Sequence, residues 1–114
     1  MQAYDNALNI VDDPRFTFRG LMVDSARHWL NPNLLLSIMD ALSYHKMNVL
    51  MVGFGIDWSW TVVSNAFPNL TSAAYSPAHV FSREMISFLV AEANYRGESH
   101  GCCVGNLHHK HALP

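Results

Sequence analysis

The chain has 114 residues, 50% of them hydrophobic, 14% charged and 11% aromatic, which is enough for one small domain and too little for two. Seven basic against nine acidic side chains give a formal charge of −2 with no block of like charge, which argues against binding nucleic acid or an anionic membrane surface. No apolar run approaches the roughly 18 residues of a spanning helix, no signal peptide is visible, and the adjacent Cys102 and Cys103 cannot build a disulfide framework.

Residues 1–13 read as a leading segment that ends at the helix-averse Pro14. Residues 16–23 follow as a strand, in which the unbroken run Leu21-Met22-Val23 suits burial on both faces, as in a parallel sheet. A polar, aromatic turn spans Asp24 to Trp29. Asn31-Pro32 then starts a helix, with Asn as N-cap and Pro at the first helical position. Leu34, Leu35, Ile38, Met39 and Leu42 give that helix one apolar stripe, and its end is expected near Lys46, whose charge suits the negative end of the dipole. Residues 48–54 read as a second buried strand, and residues 57–75 as an aromatic loop broken by Pro68 and Asn69. A second helix is capped by Ser82, has Glu84 in its first turn, carries Met85, Ile86, Leu89, Val90 and Ala93 as its stripe, and closes at Gly97. Strand, helix, strand, helix implies an α/β fold with right-handed parallel βα units. Residues 98–114 lack a β-branched run where another strand is due and hold four of the seven histidines, so they are expected to form a tail without fixed structure.

The string Asp13-Pro14-Arg15-Phe16-Thr17-Phe18-Arg19-Gly20-Leu21-Met22-Val23-Asp24-Ser25-Ala26-Arg27-His28-Trp29 resembles the opening of a family 20 glycoside hydrolase barrel. In that family of β-N-acetylhexosaminidases the corresponding pattern is P-R-F-x-x-R-G-(apolar)3-D-[ST]-[SA]-R-H-[FYW]. Residues 41–50 resemble the family's helix into its N-V strand, and residues 64–97 its second loop and helix, which ends in R-G. The resemblance implies a partial (β/α)8 TIM barrel over residues 14–97, limited to the first two βα units, with a divergent C-terminal tail. Two departures stand out. Where the family continues N-V-(apolar)-H-W-H-(apolar)-x-D-D, this chain reads Asn48-Val49-Leu50-Met51-Val52-Gly53-Phe54-Gly55-Ile56-Asp57, so only the second aspartate is kept. After Arg96-Gly97 nothing matches the family's third strand, which suggests a gene-model, splicing or frame artefact, or a truncated natural product.

Family hexosaminidases use substrate assistance: the acetamido oxygen attacks its own anomeric carbon, a glutamate protonates the leaving oxygen, and the preceding aspartate orients the acetamide. That scheme departs from the two-carboxylate pattern of most glycosidases, yet it still needs an acid of tuned pKa. No Asp-Glu dipeptide occurs in the chain, and the adjacent Asp12-Asp13 precede the first strand, so no catalytic residue is assigned and this chain alone is expected to be inactive. The substrate implied is an N-acetylhexosamine-terminated glycan, and no cofactor is required. The resemblance admits a dimeric parent, secreted or lysosomal, and the alternative to an enzyme fragment is a non-catalytic truncated product that pairs with a full-length relative.

Arg27 is the leading substrate-binding candidate, because the C-terminal rim of barrel strands collects substrate contacts and a guanidinium offers a rigid fork of donors to sugar hydroxyls. The competing reading is a structural ion pair with Asp24 or Asp57. Asp24 and His28 are weaker candidates, as orienting or hydrogen-bonding rim residues. Trp58 and Trp60 suit either sugar stacking or core packing. Gly53-Phe54-Gly55 imitates a dinucleotide fingerprint, but Trp58 stands where its third glycine belongs. The tail residues His100, Cys102, Cys103, His108, His109 and His111 are metal-ligating types without paired-ligand spacing, so no metal site is assigned. Asn69-Leu70-Thr71 is an N-glycosylation sequon.

Overall fold

A computed structural model describes residues 9–56, 58–97 and 99–101. Its elements in chain order are strand β1 (Gly20–Asp24), helix α1 (Pro32–Tyr44), strand β2 (Val49–Gly53), a hairpin of β3 (Gly55–Ile56) and β4 (Ser59–Trp60), a 3-10 helix (Pro68–Ala73), helix α2 (Arg83–Tyr95) and strand β5 (Ser99–Gly101). The main sheet has the order β1-β2-β5, with both pairings parallel. The β1–β2 register runs from Gly20 opposite Val49 to Asp24 opposite Gly53.

The helix starts follow their caps. Asn31 Oδ1 accepts from the Leu34 N–H at 2.8 Å, and Ser82 Oγ from the Met85 N–H at 3.2 Å, each satisfying an otherwise orphaned donor of the first turn. Both helices end in a left-handed residue one position past the C-cap. Gly97, at φ 75°, does so without steric cost. Lys46 does so at φ 56°, where the Met47 and Lys46 amides donate to the Leu42 and Ser43 carbonyls at 3.0 and 3.1 Å. Lys46 therefore lies beyond α1 rather than in its last turn, and its ammonium pairs with Asp12 instead of the helix end.

The two helical stripes and the facing side of the sheet make one core: Leu35, Met39 and Leu42 of α1, Leu50 and Val52 of β2, then Phe54, Phe81, Leu89 and Ala93. Fully burying one such side chain is worth about 1.5–3 kcal/mol. Leu34, expected in the stripe of α1, is instead 44% exposed. Arg96 ties the two helices at their surface. Its Nη1 donates to Glu92 Oε2 at 2.7 Å and its Nε to Asp40 Oδ1 at 2.6 Å, and these carboxylates, Glu92 first, raise its pKa further above the already high value of a free guanidinium.

Three expectations need correction. β1 is not buried on both faces: Met22 is 41% exposed, and Met22, Val49 and Met51 take no part in the helix-side core. Strand alternation puts these three on the opposite side of the sheet from Leu50 and Val52. The stretch read as a loop holds the second strand of a hairpin and a 3-10 helix, elements too short for periodicity to register. The segment after Gly97 adds a strand to β2, because ladder bonds use the main chain and do not require β-branched side chains. The fold is therefore α/β with a third parallel strand beyond the two expected βα units, while residues 102–114 of the expected tail lie outside the described residues.

Candidate functional site

The site forms where β1 ends. Asp24 is its last residue, and Ser25 continues the ladder by donating its N–H to the Gly53 carbonyl at 2.9 Å. Asp24 Oδ1 accepts from the Ala26 and Arg27 amides at 3.0 and 3.1 Å, a local turn that short polar side chains favour. The buried Ser25 hydroxyl accepts from the Leu30 amide at 3.2 Å, which closes the turn from within. Asp24 Oδ2 lies 3.2 Å from Arg27 Nε, and the arginine side chain stays 57% exposed. A guanidinium has five N–H donors. Among the described residues only Nε has a partner, so the hydrogens of both Nη groups are uncommitted on a largely exposed side chain.

The Arg27 carbonyl is held as well. His28 Nδ1 sits 3.0 Å from it, and since a carbonyl only accepts, Nδ1 carries the proton; in the neutral ring Nε2 is then an outward acceptor. The Tyr75 hydroxyl donates to the same oxygen from 48 residues away. Trp29, next in the turn, packs its indole on Phe81 at 4.4 Å and edge-on to His79 at 5.4 Å. His79 Nδ1 is in turn 2.6 Å from Ser76 Oγ.

The structure thus brings Asp24, Arg27 and His28 together, and the Asp24–Arg27 ion pair weighed from sequence is present. A guanidinium whose Nε faces a carboxylate still has four donors, so the ion pair leaves the capacity for a ligand contact. Asp57 lies outside the described residues. Trp58 is 67% exposed at the hairpin, whereas Trp60 lies across Gly55 and donates its indole N–H to the Val62 carbonyl at 2.7 Å. A Cβ at Gly55 would come 2.4 Å from the Trp60 ring, so the glycine is there for that close approach, and Gly53-Phe54-Gly55 leads into a hairpin rather than a dinucleotide-binding helix. Asn69 is exposed on the 3-10 helix, outside the Asp24–Trp29 turn. Among the described residues no three His, Cys, Asp or Glu side chains could share a metal ion, and the tail's cysteines and last three histidines lie outside them. No helix among the described residues is long and apolar enough to cross a membrane. Sequence reading missed Tyr75 and His79, whose sole signal was the aromatic content of their loop.

The catalytic-domain model of glycosyl hydrolase family 20 matches residues 16–98. β-Hexosaminidase A of Caenorhabditis briggsae is 44% identical over 89 residues, which are 77% of this chain and 16% of that protein. The human β-hexosaminidase subunit beta is 34% identical over 93 residues, 81% of this chain and 17% of its own length. Among solved structures, the chitobiase of Flavobacterium johnsoniae superposes with a TM-score of 0.71 at 34% identity, over 76% of this chain and 13% of that one. A β-N-acetylglucosaminidase of Vibrio harveyi, solved with N-acetylglucosamine, gives a TM-score of 0.70 at 26% identity over 80% of this chain and 17% of that one. The chain thus spans about a sixth of the length of the curated relatives it matches.

Proposed function

Because this chain belongs to glycosyl hydrolase family 20, we propose that it is the opening part of the (β/α)8 barrel of a β-N-acetylhexosaminidase. The parent enzyme hydrolyses terminal non-reducing N-acetylglucosamine or N-acetylgalactosamine from glycoconjugates or chitooligosaccharides by substrate-assisted catalysis. The observation that carries this reading is Arg27, backed by Asp24 and exposed just past the carboxyl end of β1. In a barrel that end is the substrate face. The two Nη groups would grip adjacent sugar hydroxyls, and His28 Nε2 would accept from a third. The chain holds no Asp-Glu pair to orient the acetamide and protonate the leaving oxygen, so Arg27 would bind here without a proton donor for the leaving group. The purified chain is therefore expected to release nothing from an aryl N-acetyl-β-glucosaminide. Release that Arg27→Ala abolishes would overturn that expectation. The parent would be secreted or lysosomal, a setting in which the exposed Asn69 sequon would carry a glycan.

The open sheet favours a second reading. β1 pairs with β2 alone among the described residues, and the sheet face carrying Met22 lies outside the helix-side core. Such an edge can add a strand from another chain, which suits a non-catalytic product that docks on a full-length relative. Co-expression with a full-length family 20 enzyme distinguishes the two: a docking product co-elutes with it in size-exclusion chromatography, whereas a mere fragment does not.

A further inference from the structure

We propose that Tyr75 is a positioning residue for Arg27, and that residues 75–81 form a clamp that fixes the direction in which its guanidinium is presented. The inference rests on the substrate-binding reading of Arg27 given above and adds what keeps that side chain in place. Asp24 secures the turn on the amino side of Arg27, through the Ala26 and Arg27 amides. Nothing on β1 secures the carboxyl side. The adjacent His28 Nδ1–H reaches the Arg27 carbonyl from within the turn, and the long-range anchor comes from the loop after the hairpin, where the Tyr75 hydroxyl donates to the same oxygen. With the peptide units on both sides of its Cα held, Arg27 has its backbone dihedrals fixed, and its Cα–Cβ bond points one way.

The rest of the segment explains why Tyr75 can act as a fixed post. Phe81 is fully buried and hydrogen-bonded on both sides, its amide donating to Thr61 O at 2.6 Å and its carbonyl accepting from the Val63 amide at 3.1 Å. His79 is held by Ser76 and packs edge-on against Trp29. The clamp therefore touches the rim turn at Arg27 and at Trp29, two positions apart, from a base anchored in the core. Tyr75 itself is 59% exposed, so removing its hydroxyl leaves the core intact.

The test compares the full chain with Tyr75→Phe, using Tyr44→Phe, an exposed tyrosine of α1, as control. Amide hydrogen exchange is read at Ala26 and Arg27 and, for the core, at Leu50 and Leu89. N-acetylglucosamine is titrated while the Arg27 Nε–H resonance is followed. In Tyr75→Phe, exchange at Ala26 and Arg27 is expected to quicken about fivefold, as loss of one typical hydrogen bond allows, with the core amides unchanged. The sugar concentration at half-saturation should rise by a similar factor, and Tyr44→Phe should match the wild type in every readout. Unchanged exchange at Arg27, or equal acceleration at Leu50 and Leu89, overturns the clamp. A wild-type Arg27 resonance that ignores the sugar overturns the substrate-binding reading instead, while the exchange data still decide the clamp.

Discussion

Phe81→Ala tests whether the site and the core are one cooperative unit. The Phe81 ring is fully buried between Trp29 at 4.4 Å and Phe54 at 4.9 Å, so it joins the rim turn to the end of β2. Truncating a buried phenylalanine costs about 3–5 kcal/mol through lost transfer energy and the cavity left behind. Two aromatic contacts, each worth about 0.5–1.5 kcal/mol, place this position at the upper end of that range. Its main-chain bonds to Thr61 and Val63 do not involve the side chain, so the measured loss reports the ring alone. A domain of this size has a total stability of roughly 5–15 kcal/mol, so the variant should keep only a fraction of it. In urea, with an m-value of about 1.5 kcal/mol per molar, the unfolding midpoint should fall by roughly 2 M or more. Phe67→Ala is the control: that ring is 67% exposed, and its removal should change stability by less than about 0.5 kcal/mol. Equal shifts for the two variants would refute the packing argument, and with it the claim that the clamp is anchored in the core.

Three further outcomes are expected. Arg96→Ala should destabilise by about 1 kcal/mol, a modest loss because Asp40 is 54% exposed and salt screens such pairs. Since the pKa of Arg96 is raised from an already high value, that loss should be the same at pH 7 and pH 9 in chemical denaturation. The Glu84 carboxyl is held below its ordinary 4.5 by its own backbone N–H and then by the Ser82 hydroxyl. Its contribution is therefore present above pH 4.5 and lost as pH falls through the lowered folded value, so Glu84→Gln should flatten the acid limb of a stability–pH curve and leave neutral pH little changed. If the chain is expressed behind a secretory leader in a eukaryotic host, it should run as a glycosidase-sensitive heavier species on a denaturing gel, and Asn69→Gln should abolish the shift. A wild-type band that glycosidase leaves unmoved would show the sequon to be unused.

How much the sequence revealed depended on how far apart the interacting groups lie. The two long helices, their caps at Asn31 and Ser82, the stop at Gly97 and the two apolar strands were legible, because each is set by residues within about one turn or one strand length. The family string around Arg27 was legible for the same reason, being contiguous. The tertiary structure alone decided that Met22 and Met51 lie outside the core, that residues 99–101 extend the sheet, and that Tyr75 meets Arg27. Those outcomes depend on which main-chain edge is free and on which rings meet across tens of residues. Caps and periodicity act along the chain, whereas a carbonyl at residue 27 meets a hydroxyl at residue 75 only in the folded chain, where Phe81 packs against Phe54 and Trp29.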